Sequence, residues 1–170
     1  MNIILLNQNK IDINTIEKKA YKVRILIKNE LDEILICYYA GVYMLPGGKI
    51  QPNETTEMAL FRELKEETGI LLANDFQTKS FKLQYVMEDY IEKGIHKYLE
   101  TVYYYLEIPS STKIIPANLS ENEKKHNFKI EWTPISKIEE ILKNNQVDNR
   151  RIPYYNKELK IVLDYFIKEK

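Results

Sequence analysis

Strands interspersed with helices predict an α+β domain, layered as α/β/α. Three observations carry this. Val23, Ile25 and Ile27 alternate with polar neighbours at the period of a half-buried strand. Residues 76–87 and 98–108 are rich in β-branched and aromatic side chains. Two segments have helical spacing: residues 55–68, and the set Leu159, Val162, Leu163, Phe166 and Ile167.

Taken in order, the chain opens on a short apolar run and a polar stretch, and no periodicity assigns residues 1–20 to an element. The strand at 23–27 is followed by a turn signal, Asn29-Glu30 and Asp32, and by a returning strand at 35–39. Pro46, Gly47 and Gly48 then break regular structure, and Gln51-Pro52-Asn53-Glu54 makes a second turn. Thr55 or Thr56 caps the next helix, which runs to about Thr68 and stops at Gly69. The strands at 76–87 and 98–108 form a hairpin across 89–97. Residues 109–127, polar and holding Pro109 and Pro116, read as a long loop. A strand at 128–132 and a short helix over Ile135, Ile138, Ile141 and Leu142 follow. Beyond Pro153 an amphipathic helix covers about 154–168. With no linker and no repeat, residues 1–170 form one domain with a core at about 21–142 and an added C-terminal helix.

The composition excludes several classes. Lys plus Arg equals Asp plus Glu at 25 each, so overall charge attracts neither nucleic acid nor a membrane surface. A large nucleic-acid partner is therefore not expected. The single cysteine, Cys37, allows no internal disulfide, and its apolar setting reads as a buried strand thiol. The N-terminal run is too short for a signal peptide, and no run approaches the ~18 apolar residues of a membrane span, so a cytoplasmic protein is expected.

The chemistry concentrates in GKIQPNETTEMALFRELKEETGI, residues 48–70. Glu63, Glu66 and Glu67 stand at i, i+3 and i+4, which puts three carboxylates on one helix face. Leu60, Phe61 and Leu64 fall on the neighbouring face, free to bury against a sheet, and Ala59 leaves room near the acids. Two like charges ~4 Å apart repel by roughly 4 kcal/mol at an effective dielectric of 20. A divalent cation turns that repulsion into attraction, and oxygen donors suit Mg²⁺ or Mn²⁺. Gly47-Gly48 can bring bare backbone to the same place, and Arg62 can fork onto a carboxylate or a phosphate. Taken alone, three glutamates fit a solvated acidic helix face better than a site.

The full pattern reverses that preference. Gly48, Glu54, Arg62, Glu63, Leu64, Glu66, Glu67, Gly69 and Ile70 fill every specified position of Gly-x5-Glu-x7-Arg-Glu-aliphatic-x-Glu-Glu-x-Gly-aliphatic. At ~6–7% per residue type, the seven single-residue positions match by chance about once in 10⁸–10⁹ starts. The segment resembles the Nudix box of the MutT-like hydrolases. The resemblance implies an α/β/α sandwich with a mixed β-sheet, and a Mg²⁺-dependent (or Mn²⁺-dependent) hydrolase that cleaves a phosphoanhydride bond in a nucleoside diphosphate linked to another group. It implies Glu66 and Glu67 as metal ligands, Glu63 as ligand or base, the Gly47 carbonyl in the metal shell, Arg62 orienting a glutamate, and Glu54 bracing the loop, with Gly69 ending the helix. A further carboxylate from outside the box is expected, with Glu123 preferred over Glu121 and Glu131. His126, close by, reads as a surface residue.

Substrate choice lies outside the box. Gly48, Tyr39 and Tyr43 are candidate substrate contacts, and Trp132 is a further stacking candidate, although packing explains each aromatic as well. A nucleoside triphosphate pyrophosphohydrolase is the first expectation. Alternatives are hydrolysis of ADP-ribose, a nucleotide sugar or a dinucleoside polyphosphate, or a nucleotide-sensing module without turnover. A sensor of this kind usually loses box carboxylates, and here all are kept. The related isoprenoid diphosphate isomerases need a catalytic cysteine, for which Cys37 is poorly placed. The C-terminal helix is expected to cover the core or to form a homodimer interface.

Overall fold

Alternation along one long strand divides the molecule into two layers of core. That strand, β2 (Ile16–Lys28), sends Val23, Ile25 and Ile27 to one face and Leu26 to the other. The computed structural model describes all residues except 74–75, 90, 117, 146–151 and 169–170, and omits the side chains of 152 and 153. Around β2 lie β1 (Asn2–Leu6), β3 (Glu33–Tyr39), β4 (Val42–Met44), β5 (Ser80–Glu88), β6 (His96–Glu107) and β7 (Lys129–Pro134). They form one seven-stranded sheet in the order β1-β5-β6-β2-β3-β4, with β7 also paired to β3. The pairs β1–β5 and β2–β6 are parallel and the rest antiparallel, so the sheet is mixed.

Helix α1 (Thr56–Thr68) covers the first face, where Ala59, Leu60 and Leu64 pack on Val23, Ile25, Ile27, Leu35, Val102 and Tyr104. On the opposite face α3 (Ile138–Lys143) and α4 (Ile152–Leu163) bury Ile138, Leu142, Leu159 and Val162 against Leu26, Ile36, Phe81 and Tyr103. A single π-helical turn, Asp164–Lys168, extends α4 and adds Phe166 to this layer. Each fully buried Leu contributes roughly 1.5–3 kcal/mol. The α/β/α sandwich is thus as expected.

Several boundaries differ from the sequence reading. The unassigned N-terminus supplies β1, a parallel partner of β5, and the first five residues of β2. The stretch at 109–127 is not all loop. It contains α2 (Glu121–Lys125), closed by a capping box in which Ser120 and Glu123 each accept from the other's backbone N–H. It also seals the C-terminus of α1, since Ile115 N–H donates to Thr68 O at 2.9 Å and Asn118 N–H to Glu66 O at 3.4 Å. Leu60 and Leu64 fill the core as expected, joined by Ala59, whereas Phe61 is only half-buried. Among the described residues no helix is long and apolar enough to cross a membrane.

One feature of the sheet positions the glycine loop. Strand β2 pairs β3 only at its far end, Lys28 opposite Ile34. The edge at residues 21–25 is therefore open to residues 46–50. Ile25 N–H donates to Pro46 O, Val23 N–H to Gly48 O, and Ile50 N–H to Tyr21 O, each at 3.0 Å.

Candidate active site

The segment laid along β2 must pass closer to the sheet than any side chain allows. Gly47 has φ +126°, and a Cβ there would strike the Val23 carbonyl. A Cβ on Gly48 would collide with the Glu63 carboxylate. The two glycines therefore bring backbone directly against α1. The helix is fixed at both ends: Thr55 caps it by accepting from Met58 N–H at 3.2 Å, and Gly69 ends it in the left-handed region at φ +75°.

Two of the three box carboxylates on α1 lie on its buried side, not on its solvent face. Ala59, Glu63 and Glu67 succeed one another at i+4, and Glu63 and Glu67 are only 8% and 6% exposed. A solvated acidic face is thereby ruled out for both. Glu67 Oε2 accepts from Gly47 N–H at 2.7 Å, its one donor among the described residues. Burial pushes this carboxyl up to about 8; the Gly47 hydrogen bond lowers it, and the charges of Glu63 and Glu123 raise it further. Burial also raises Glu63, against the pull of Arg62.

Arg62 organises the rest. Its Nε and Nη2 fork onto Glu54 at 2.8 and 3.0 Å, Nη1 reaches Glu63 at 2.7 Å and Glu66 at 3.3 Å, and Nη2 also donates to Lys49 O at 3.1 Å. The guanidinium holds the Glu54 carboxyl below its usual range, and the carboxylates in turn hold Arg62 protonated. Glu54 also accepts from Gln51 N–H at 2.9 Å, which ties the turn before α1 to the same fork.

The residues expected outside the box divide. Glu123 is half-buried, and its charge reaches Glu63, Glu67 and Cys37. One of its oxygens is occupied by Ser120 N–H at 2.6 Å. Glu121 is 92% exposed beside Lys124, and Glu131 is exposed on β7. Tyr39 lies near α2: its hydroxyl accepts from Asn122 at 3.0 Å and its ring meets His126 edge-on at 5.6 Å. Tyr43 packs on Tyr38 at 4.8 Å and against the α4 layer. Trp132 packs on the opposite, α1-side layer. Cys37 is buried, which raises its thiol well above the usual value, as expected of an inert strand thiol.

As packed, no three carboxylate, histidine or cysteine side chains among the described residues converge on one point. Arg62 keeps one oxygen each of Glu63 and Glu66, and Gly47 keeps one of Glu67. The other oxygen of each of these glutamates accepts no hydrogen bond from the described residues. A buried carboxylate held by one neutral donor is the donor chemistry of a hard cation. The Arg62–Glu66 contact is long and Glu66 is 35% exposed in its side chain, so that arm is free to turn. The residues therefore fit a divalent ion. The sequence reading missed Arg24, whose guanidinium donates to the carbonyls of Leu45 and Gly47. The available signal was an arginine inside an otherwise apolar run, Val23 to Ile27.

The NUDIX domain model matches residues 18–155 of this chain, well over half of it. An 8-oxo-dGTP diphosphatase of Escherichia coli (strain K12) is 45% identical over 51 residues, 26% of this chain and 40% of that protein. One of Haemophilus influenzae is 36% identical over 76 residues, 41% and 56% of the two chains. The matches to curated relatives thus span at most about half of their length, from 18% to 56%. Among solved structures, a bifunctional NMN adenylyltransferase/ADP ribose pyrophosphatase from Francisella tularensis, complexed with AMP and manganese, superposes with TM-score 0.59 at 21% identity, covering 86% of this chain and 42% of that one. The E. coli dihydroneopterin triphosphate pyrophosphohydrolase gives TM-score 0.56 at 12% identity, over 88% and 96%. These likenesses support the fold. With an intact box on the helix that the fold places against the glycine loop, the chain belongs to the NUDIX domain family.

Proposed function

We propose that this protein is a divalent-metal-dependent hydrolase of nucleoside diphosphates linked to another group, with a nucleoside triphosphate as its first substrate class. The carrying observation is the pair of buried carboxylates, Glu63 and Glu67, packed against the Gly47-Gly48 backbone. Burying two acids in contact with a bare loop costs stability unless a cation and an anionic ligand meet there. The 8-oxo-dGTP diphosphatases that resemble this chain over its box support the triphosphate class.

In this reading Glu67, Glu66 and the Gly47 carbonyl hold Mg²⁺ or Mn²⁺. A bound ion of this kind neutralises charge on the diphosphate oxygens. Glu63, whose proton affinity burial raises, takes the proton from the attacking water. Arg62 aims Glu63 through the 2.7 Å contact, and Glu54 fixes Arg62. Water adds to phosphorus, a phosphoanhydride P–O bond breaks, and a triphosphate yields a nucleoside monophosphate and pyrophosphate. Glu123 supplies the further carboxylate, turning from its capping role. Gly48 lies along the substrate path, with Tyr39 at its margin; Tyr43 packs into the α4-side layer instead.

The test is a panel of nucleoside triphosphates, including oxidised ones, with ADP-ribose, nucleotide sugars and dinucleoside polyphosphates, assayed with Mg²⁺ and with EDTA. Metal-dependent release of pyrophosphate from a triphosphate is expected. Tight binding of one nucleotide with no product at any metal concentration would replace the enzyme with a sensor.

A further inference from the structure

Beneath the glycine loop, on the side away from α1, lies a second buried ion pair. Arg24 of β2 and Glu158 of α4 are each 4% exposed, with Nε and Oε1 3.7 Å apart. Among the described residues neither of these two atoms has a hydrogen-bond partner, and neither does the buried hydroxyl of Tyr103 beside them. Arg24, Tyr103, Glu158, Met44 and Leu45 line a cavity of about 10 Å³, close to the space one water needs.

As a stabilising element this pair is poorly made. Two charges have been taken from water without a direct hydrogen bond between them, and apolar residues of equal volume would hold the layer as well or better. The outer nitrogens of the same guanidinium are well used. Nη1 donates to Leu45 O and, at 3.4 Å, to Gly47 O, and Nη2 meets Met44 Sδ at 3.2 Å. Arg24 thus holds from below the three-residue approach to the loop whose Gly47 N–H holds Glu67 from above. Glu158 fixes the Arg24 end of this chain of contacts. It belongs to α4, outside the box and beyond the matched residues 18–155.

We infer that Arg24 and Glu158 are a positioning pair, through which the C-terminal helix sets the Leu45–Gly47 backbone against the carboxylates of α1. The inference rests on the catalytic reading above. Arg24 and Glu158 act through the loop and touch no reacting atom. Lys22, whose ammonium lies 5.9 Å from the Tyr155 ring centroid, is the neighbouring cation and stays on the same α4 side.

The experiment removes both charges together, so that neither is left buried alone. Arg24→Met/Glu158→Met in the full chain is expected to keep the native fold by circular dichroism, with a loss of stability limited to that of the carbonyls that lose the Arg24 donor. Its kcat on a nucleoside triphosphate with Mg²⁺ should fall at least tenfold, with KM within threefold. Its affinity for Mn²⁺, read by electron paramagnetic resonance without nucleotide, should fall by a similar factor, and the Gly47 amide should exchange with solvent at least tenfold faster. Wild-type exchange at Gly47 together with wild-type Mn²⁺ affinity would overturn the inference. Both readouts apply even if the wild-type protein hydrolyses nothing, so failure of the catalytic reading is separately visible. Should the double variant not fold, Glu158→Gln replaces it, keeping the shape and losing the charge. Faster Gly47 exchange in that variant supports the pair, and unchanged exchange overturns it.

Discussion

Glu67→Gln should make the metal-free protein more stable while destroying its response to metal. Glu67 ionises near 4.5 in an ordinary setting and about 8 in the folded protein. Because the folded state binds this proton more tightly, its contribution to stability is intact below about 4.5 and is lost as pH rises toward 8. At ~1.4 kcal/mol per tenfold change in proton affinity, the loss is on the order of 3 kcal/mol at pH 7 and 5 kcal/mol above pH 8. Glutamine keeps an oxygen for Gly47 N–H and carries no charge to bury. In EDTA at pH 7 the variant should therefore melt ~5–10 °C higher than wild type for a domain of this size. The gain should vanish near pH 4.5, and Mg²⁺ should raise the melting point of wild type only. Calorimetry across pH, with and without metal, reads all of this. A Glu67→Gln protein less stable than wild type at every pH would refute the argument from burial.

Other outcomes follow from the same contacts. Arg62→Lys loses the fork on Glu54 and the arm on Glu63, so kcat should fall ~10²-fold or more while the far-ultraviolet circular dichroism stays native. Gly48→Ala drives a methyl into the Glu63 carboxylate, and kcat should drop with a loss of about 1–3 kcal/mol in stability, read by urea unfolding. Apparent Mn²⁺ affinity should weaken about tenfold per pH unit below about 8, since Glu67 must release its proton to bind; a flat profile from pH 6 to 8 would remove Glu67 from the site. Glu123→Gln should slow turnover without lowering the unfolding free energy by more than ~1 kcal/mol, whereas Glu131→Gln, on an exposed strand position, should leave both unchanged.

What the sequence disclosed follows from how local each signal is. The strand at Val23–Ile27 and the helix from Thr56 to Gly69 carry their own periodicity and caps, so both were legible. Strand β1 was not, because a run of four apolar residues names no partner, and its pairing to β5 joins residues about 80 apart. Helix α2 was hidden in a polar stretch with two prolines, although Ser120-Glu121-Asn122-Glu123 is a capping-box signature that would have found it. At the site, the spacing of the three glutamates was readable, but not that Glu63 and Glu67 are buried while Glu66 is half-exposed. That depends on residues 46–50 replacing β3 along the edge of β2. Arg24 and Glu158 meet across 134 positions of sequence, and only packing joins them.

The most direct test is a crystal grown with Mn²⁺ and a non-hydrolysable nucleoside triphosphate analogue, examined by anomalous scattering. The account predicts a peak between the Gly47 carbonyl and Glu67, with Glu66 swung off Arg62 toward it and Arg62 still forked on Glu54. A nucleotide bound with Glu67 still closed on Gly47 N–H and the manganese elsewhere would contradict it.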